Sequence, residues 1–366
     1  MTAVEPAAAA GAALSLEQAL RERVRAFLEP RAAAVDAGEA GVQEALAFLN
    51  DELSHAPGAG ESRPNADLTR VAEMISTAAG FDMSAAFSLW CHRMVLEYLS
   101  CAPDGSPLRQ VEVPALLASR HLGSTALAAA MAHHVGGTPL PIQWRHEGEE
   151  IVLDGRVNWA SNLFPPDFVM VTAAAHVDGG RPIVVAFRGD TPGVEIHPYP
   201  RLLALQATGS SSLALRDVRL AADAVVADDF NGFIMGVRPA FLLLQSSFCL
   251  GLAQRSLAEA RAALRGASDV FGADLDALQE RSAALANLVR EATADRGASV
   301  PIRRLVQARL ECAQLATAAV GLEAKVVGGR GYVTTSGTAR RFREAAFLPI
   351  QAPTEGQLRW ELSRSA

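Results

Sequence analysis

The residues best suited to chemistry lie near the C-terminus, between Gly328 and Arg359. Gly328 and Gly329 open the segment, and glycines without a Cβ let backbone amides approach a phosphate or ribose closely. An arginine-rich stretch follows at 340–344, and then a turn over 350–354. A glycine pair is also an ordinary helix terminus, so the pattern alone leaves both interpretations open.

Glu355 places a carboxylate directly after this turn. A carboxylate that is removed from water becomes a stronger base and can take a proton from a weakly acidic carbon. An acid at the same place can instead stabilise the first turn of a helix through the helix dipole. Glu355 is therefore a candidate base with a structural alternative.

A second candidate region runs from Asp154 to Asn162 and contains Trp159, Ala160 and Ser161 in succession. A flat aromatic cofactor needs an apolar wall and a few polar groups at its edge, which a tryptophan and a serine can supply. A core tryptophan beside a Ser-Asn turn explains the same residues without a cofactor.

Hydrophobic periodicity predicts the elements that would position these residues. Apolar residues at helical spacing predict helices from about residue 15 to residue 100 and three long helices over about 235–265, 273–294 and 300–327. A short helix is expected over 338–345, and a last helix from near Thr354. The most apolar run, 240–253, is too short and too polar to span a bilayer, so we expect a buried helix.

Between about residues 123 and 229 the pattern changes to short β-type runs separated by turns. The runs 150–153 and 156–159 flank Asp154 and Gly155, which predicts a tight hairpin at that dipeptide. The order of helices, strands and helices predicts an α+β fold.

Taken together, these motifs resemble the acyl-CoA dehydrogenase superfamily of flavoproteins. The C-terminal segment is similar to its GGxGY, R-x-x-R-[DE]-A and I-Y-E-G-T patterns, and residues 154–162 to its N-G-x-K-x-W-I-[ST]-N pattern. The stretch 271–279 resembles its F-G-x-x-L-x-x-x-Q pattern. The resemblance covers about residues 15–364.

The composition of residues 1–14 predicts a disordered leader. The resemblance implies an N-terminal helical domain (15–122), a middle β-barrel or sandwich domain (123–230) and a C-terminal four-helix bundle (231–366). It also implies FAD, a homodimer or homotetramer, and a subunit interface that completes the cofactor site. The residues expected to bind the cofactor are Leu127, Ala128, Trp159, Ala160, Ser161, Phe271, Leu275, Gln279, Gly328, Gly329 and Thr354.

The chain departs from the family pattern at four positions. The glutamate that removes the substrate α-proton falls on Ala352, and the alternative glutamate of some branches falls near Phe241. Ala128 replaces a threonine that bonds the flavin, and Ser268 replaces an arginine that binds the diphosphate. Since alanine cannot accept a proton, the standard reaction is in question, and Glu355 is the nearest remaining carboxylate.

Composition excludes several other classes. The 366 residues carry 33 basic and 40 acidic side chains, a net charge of −7, which argues against nucleic-acid binding. The four cysteines form no C-x-x-C pair, so we expect reduced thiols in a cytoplasmic protein. His133 and His134 are adjacent and have no third ligand at suitable spacing, so we expect no metal site. Because the most apolar run is too short and too polar to span a bilayer, we expect no membrane insertion.

Three functions remain open. The first is an acyl-CoA dehydrogenase-like oxidoreductase that acts on acyl-CoA or another small molecule and passes electrons to an acceptor protein. The second is a flavin-dependent monooxygenase of the same fold, which uses oxygen and reduced flavin from a partner reductase. The third is a non-catalytic paralogue.

Overall fold

The computed structural model describes residues 18–54, 68–136 and 138–364. The expected leader at 1–14 lies outside them. The described N-terminal helices are α1 (18–28), α2 (Ala32–Ala37), α3 (Gln43–Ser54), α4 (Leu68–Ala79), α5 (Met83–Leu99) and α6 (Val113–Leu117), the last entered through a wide turn over Leu108–Glu112. Helix α5 is buried along its whole length, and Asp82 begins it by accepting a hydrogen bond from the Ala85 amide.

The sheet occupies the middle of the chain. Its strands are β1 (Leu122–Thr125), β2 (Ile142–Glu147), β3 (Glu150–Ala160), β4 (Phe168–His176), β5 (Ile183–Arg188), β6 (Val194–Ile196), β7 (Ser211–Ala221) and β8 (Val225–Ala227). Their order is β6-β7-β3-β2-β4-β5-β8, and β1 runs parallel to the first half of β4. One short helix, α7 (Ala128–His134), follows β1.

The prediction of a hairpin turn at Asp154 and Gly155 is wrong. β3 continues through both residues, and the turn lies earlier, where Glu147 pairs with Glu150. Gly155 has φ +144°, and a Cβ there would lie 2.4 Å from the Pro141 carbonyl oxygen. The glycine therefore marks a bulge where two strands approach closely, a role that the same dipeptide pattern does not distinguish from a turn.

The C-terminal part is helical again, with α8 (Phe230–Ala263), α9 (Gly272–Ala294), α10 (Ile302–Val327), α11 (Gly337–Ala345) and α12 (Glu355–Arg364). The predicted arrangement of N-terminal helices, a sheet domain and C-terminal helices is confirmed. By length and composition α8 could cross a membrane, but 83% of its most apolar window is buried inside the protein. It is the central helix of the core, packed on α4, α5 and α10.

Candidate functional site

Trp159 lies at the mouth of a cleft on the sheet. Its side chain is 59% exposed, and the adjoining cleft has a volume of about 400 Å³. The lining residues are Arg156, Asn158, Trp159, Pro198, Pro200, Ser211 and Ser212. An exposed indole beside a cleft with one arginine and two serine hydroxyl groups fits the wall, edge and phosphate end of a flat, phosphorylated cofactor.

Two polar contacts fix the end of β3 that carries Trp159. The Ser161 hydroxyl lies 2.6 Å from the Ser210 hydroxyl, and the Ser161 carbonyl accepts a hydrogen bond from Ser124 at 2.7 Å. The next residue, Asn162, donates from its amide to the carbonyls of Ser88 and Gly123. The strand end is therefore held against both α5 and β1, which stabilises the orientation of the site.

Ala128, expected at the flavin edge, begins helix α7 instead of lying in an open loop. Leu127 is fully buried and Ala128 is exposed. Four of the seven residues of α7 are alanines, and alanine favours helix. His133 and His134 lie at the end of this helix, bonded to the Thr138 carbonyl and to Asn231.

Buried polar side chains on α8 and α10 form hydrogen bonds with the turn that contains Ala352. The Gln245 amide on α8 donates to the Ala352 carbonyl at 2.9 Å. Arg309 on α10 donates to Gln245 at 2.9 Å and to Gln351 at 2.8 Å. The backbone of residue 352 is thus fixed, although its side chain offers no proton acceptor.

Arg309 is fully buried, and its hydrogen-bond acceptors in the described chain are neutral. They are the side chains of Gln245, Gln351 and Cys249 and the carbonyl of Leu348. A buried cation is costly unless hydrogen bonds satisfy it, and here they also bind the turn. The sequence did not predict that Arg309, Gln245 and Gln351 bond to one another. The only indication in the sequence is that each is a polar residue within an otherwise apolar helical or turn segment.

Glu355 begins α12 and is partly exposed. Its carboxylate accepts a hydrogen bond from Arg359 at 2.8 Å, one helical turn away, and lies 3.4 Å from the Gln314 amide. Thr354 precedes it as a helix cap: its hydroxyl accepts from the Gln357 amide, and its own amide donates to the Gln357 side chain. This geometry accounts structurally for both residues.

The remaining expected cofactor residues lie on the helical part. Leu275 on α9 is fully buried, whereas Phe271 and Gln279 are partly exposed, and Gln279 accepts a hydrogen bond from Arg261. Gly328 and Gly329 end α10 at the surface. Ser268 does not reach outward, because it caps its own short helix by bonding Arg265.

Comparison with known proteins finds relatives of this chain among acyl-CoA dehydrogenases. No family model matches the chain. A probable acyl-CoA dehydrogenase of Bacillus subtilis is 25% identical over 274 residues, covering 70% of this chain and 71% of that protein. The human mitochondrial short-chain specific acyl-CoA dehydrogenase is 26% identical over 231 residues, covering 57% of this chain but only 54% of the relative.

Solved structures share the fold over almost the full chain. Butyryl-CoA dehydrogenase from Megasphaera elsdenii has a TM-score of 0.81 at 15% identity, covering 95% of this chain and 97% of that one. Glutaryl-CoA dehydrogenase from Mycobacterium smegmatis, in complex with FADH2, has a TM-score of 0.81 at 18% identity, covering 96% and 93%. The chain is therefore similar in sequence to acyl-CoA dehydrogenases and shares the fold of solved members of that superfamily.

At the position where the resemblance predicts the base, the sequence has Ala352. The structure links the expected residues into three groups. Trp159, Ala160 and Ser161 share the strand end tied to β1, which leads into Leu127 and Ala128. Gly328, Gly329 and Thr354 belong to the C-terminal turns. Leu275 and Gln279 lie on α9, and Phe271 immediately precedes it.

Proposed function

We propose that this protein is an acyl-CoA dehydrogenase-like flavin oxidoreductase that binds FAD in the Trp159 cleft and acts on a CH–CH group of an acyl thioester. The observation that supports it best is the exposed Trp159 indole beside the 400 Å³ cleft. Curated relatives are named as acyl-CoA dehydrogenases, and one structural neighbour is in complex with FADH2. We also propose a homodimer or homotetramer that passes electrons to an acceptor protein.

FAD, when bound, would supply the hydride acceptor. The chain's residues would position it: Trp159 as the apolar wall, Ser161 at the polar edge, and Arg156 toward the phosphates. The proton at the substrate α-carbon needs a separate acceptor. Neither Ala352 nor Phe241 can take it, so Glu355 stays the candidate base at this turn.

The test uses FAD-loaded protein mixed anaerobically with butyryl-CoA. Bleaching of the flavin absorbance supports dehydrogenation. If Glu355 is the base, Glu355→Gln should slow the bleaching roughly a hundredfold, whereas Glu149→Gln, at an exposed turn, should not change it. Ala352→Glu restores a carboxylate at the family position and is expected to speed the reaction. Failure of the protein to bind FAD or FMN contradicts the proposal.

Flavin-dependent monooxygenation is the second candidate, and one observation favours it. The two family base positions hold Ala352 and Phe241, and the Glu355 carboxylate is already bonded to Arg359. Monooxygenation does not need an α-proton base. Oxygen consumption that requires added reduced flavin, with no anaerobic bleaching by acyl-CoA, would support this candidate; neither activity would indicate a non-catalytic paralogue.

A further inference from the structure

Five aromatic side chains, four of them buried and Phe347 partly buried, pack together between α5, α8 and the turn after α11. We call this group the aromatic cluster; its members are Phe87, Trp90, Phe241, Phe248 and Phe347. Phe87 stacks on Trp90 with ring centroids 5.4 Å apart, and Trp90 meets Phe241 edge-on at 5.1 Å. Phe347 contacts Phe87 edge-on at 4.9 Å, and Phe248 lies 6.1 Å from Phe87.

The aromatic cluster adjoins the turn that carries Ala352, because Phe241 lies on the helix that is bonded to this turn. By the resemblance, residues 352 and 241 are the two positions from which a base reaches the substrate α-carbon. Phe241 belongs to the cluster, and Gln245, one turn further along α8, donates to the Ala352 carbonyl. Phe347 opens the segment that leads to Ala352. A substrate placed against residue 352 would therefore meet these rings with its far end.

The rings leave little depth for such a substrate. Trp90 is 3% exposed and Phe241 2% exposed, and each ring meets at least one other at contact distance. The clefts beside Trp159 and beside Trp144 in the described chain are lined by other residues. Well-packed interiors do not yield easily, because inserting extra methylenes forces side chains out of their preferred rotamers.

We propose that the aromatic cluster limits the ligand to a short acyl thioester, of acetyl to butyryl size, and that Trp90 and Phe241 determine this limit. The inference rests on the proposed function for the place of the ligand. Each methylene that enters an apolar pocket raises affinity about fourfold. When the rings block the pocket, extra methylenes stay in water and add no affinity.

The experiment measures binding of acetyl-, butyryl- and octanoyl-CoA to the FAD-loaded protein by isothermal titration calorimetry. For the native sequence, affinity should not rise between butyryl- and octanoyl-CoA. Trp90→Ala and Phe241→Ala each open space behind the site, and each should raise octanoyl-CoA affinity at least tenfold while changing acetyl-CoA affinity little. Phe241→Leu, a milder change, covers the case in which the alanine variants fail to fold.

Trp90→Phe is the matched control. The Trp90 indole nitrogen has no hydrogen-bond partner in the described chain, so the substitution removes no hydrogen bond and keeps a ring in place. Its chain-length preference should match the native one. If Trp90→Phe raised octanoyl-CoA affinity as much as Trp90→Ala, the ring at residue 90 would not set the depth of the acyl pocket.

The inference is overturned if the native protein binds octanoyl-CoA more tightly than butyryl-CoA by about fourfold for each additional methylene. It is also overturned if the space-opening variants gain nothing. Protein that binds FAD but no acyl-CoA refutes the ligand class while leaving the flavoprotein assignment standing. Because binding needs no turnover, a short-chain plateau without flavin bleaching supports the inference and counts against the proposed reaction.

Discussion

Two buried carboxyl groups face each other where α11 meets the N-terminal helices. Glu344 on α11 lies 3.5 Å from the Arg340 guanidinium, and Asp82 caps α5 nearby. Burial raises the pKa of Glu344 to about 7 and the pKa of Asp82 to about 6, outweighing the attraction of Arg340. Asp36, paired with Arg343, adds further negative charge and Arg341 opposes it.

These raised pKa values fix the sign of a pH effect on stability. In the unfolded chain both carboxyls ionise near pH 4. Between about pH 4 and pH 7 the folded state therefore holds more protons than the unfolded state, so the free energy of unfolding falls as pH rises through this window. Each carboxyl contributes a slope of at most about 1.4 kcal/mol per pH unit.

We expect urea unfolding at pH 5, 6, 7 and 8 to show that the free energy of unfolding of the native protein falls more steeply, or rises less steeply, with pH than that of Glu344→Gln. The glutamine cannot ionise, so its contribution does not change with pH, whereas buried His92, whose pKa is lowered to about 3, adds the same opposite slope to both proteins. Glu149→Gln, at an exposed turn, is the control and should keep the native slope. Equal slopes for the native protein and Glu344→Gln would show that Glu344 is ionised throughout this pH range.

At the scale of elements, the crossing of α8 and α4 depends on one glycine. A Cβ on Gly251 would lie 1.9 Å from the Ser76 carbonyl oxygen, which is backbone and cannot move aside. Gly236 lies on the same helix, is exposed, and has open space around the position of a Cβ. The two positions differ in packing and share the same helical backbone.

Gly251→Ala should therefore destabilise the protein by about 1–3 kcal/mol, because the added methyl group overpacks the crossing. Gly236→Ala should stabilise it by up to about 1 kcal/mol, since alanine is the better helix former. Thermal unfolding followed by circular dichroism measures both. Equal effects of the two substitutions would mean that helix propensity, and not the close approach of the two helices, determines the change in stability.

The elements also show what the sequence can and cannot predict. The long helices over 235–265, 273–294 and 300–327 were predictable because their apolar spacing persists over many turns. The hairpin at Asp154–Gly155 was not, because a glycine at a bulge and a glycine at a turn give the same local pattern. Arg309 could not be assigned from sequence, since its partners come from α8 and from the turn before α12, far away along the chain.

At the scale of the whole molecule, four exposed apolar side chains lie between residues 332 and 350. Tyr332 is 92% exposed and Ile350 70% exposed, and Val333 and Phe342 are exposed as well. Exposed apolar side chains that form one patch are typical of protein contacts. The α9 residues expected to bind the cofactor lie in the same helical part, and the resemblance assigns them to the FAD of a neighbouring subunit.

If a second copy completes the site, FAD binding must depend on protein concentration. A ligand at a hundred times its Kd stabilises the protein that binds it by about 2.7 kcal/mol. We therefore expect saturating FAD to raise the Tm at high protein concentration, and the rise to shrink on dilution because the partner dissociates. Ile350→Glu places a charge in the exposed apolar surface and should reduce the rise, whereas Trp159→Ala should abolish it at every concentration. A Tm rise that is independent of dilution and unchanged by Ile350→Glu would assign the whole cofactor site to a single chain, with α9 outside it.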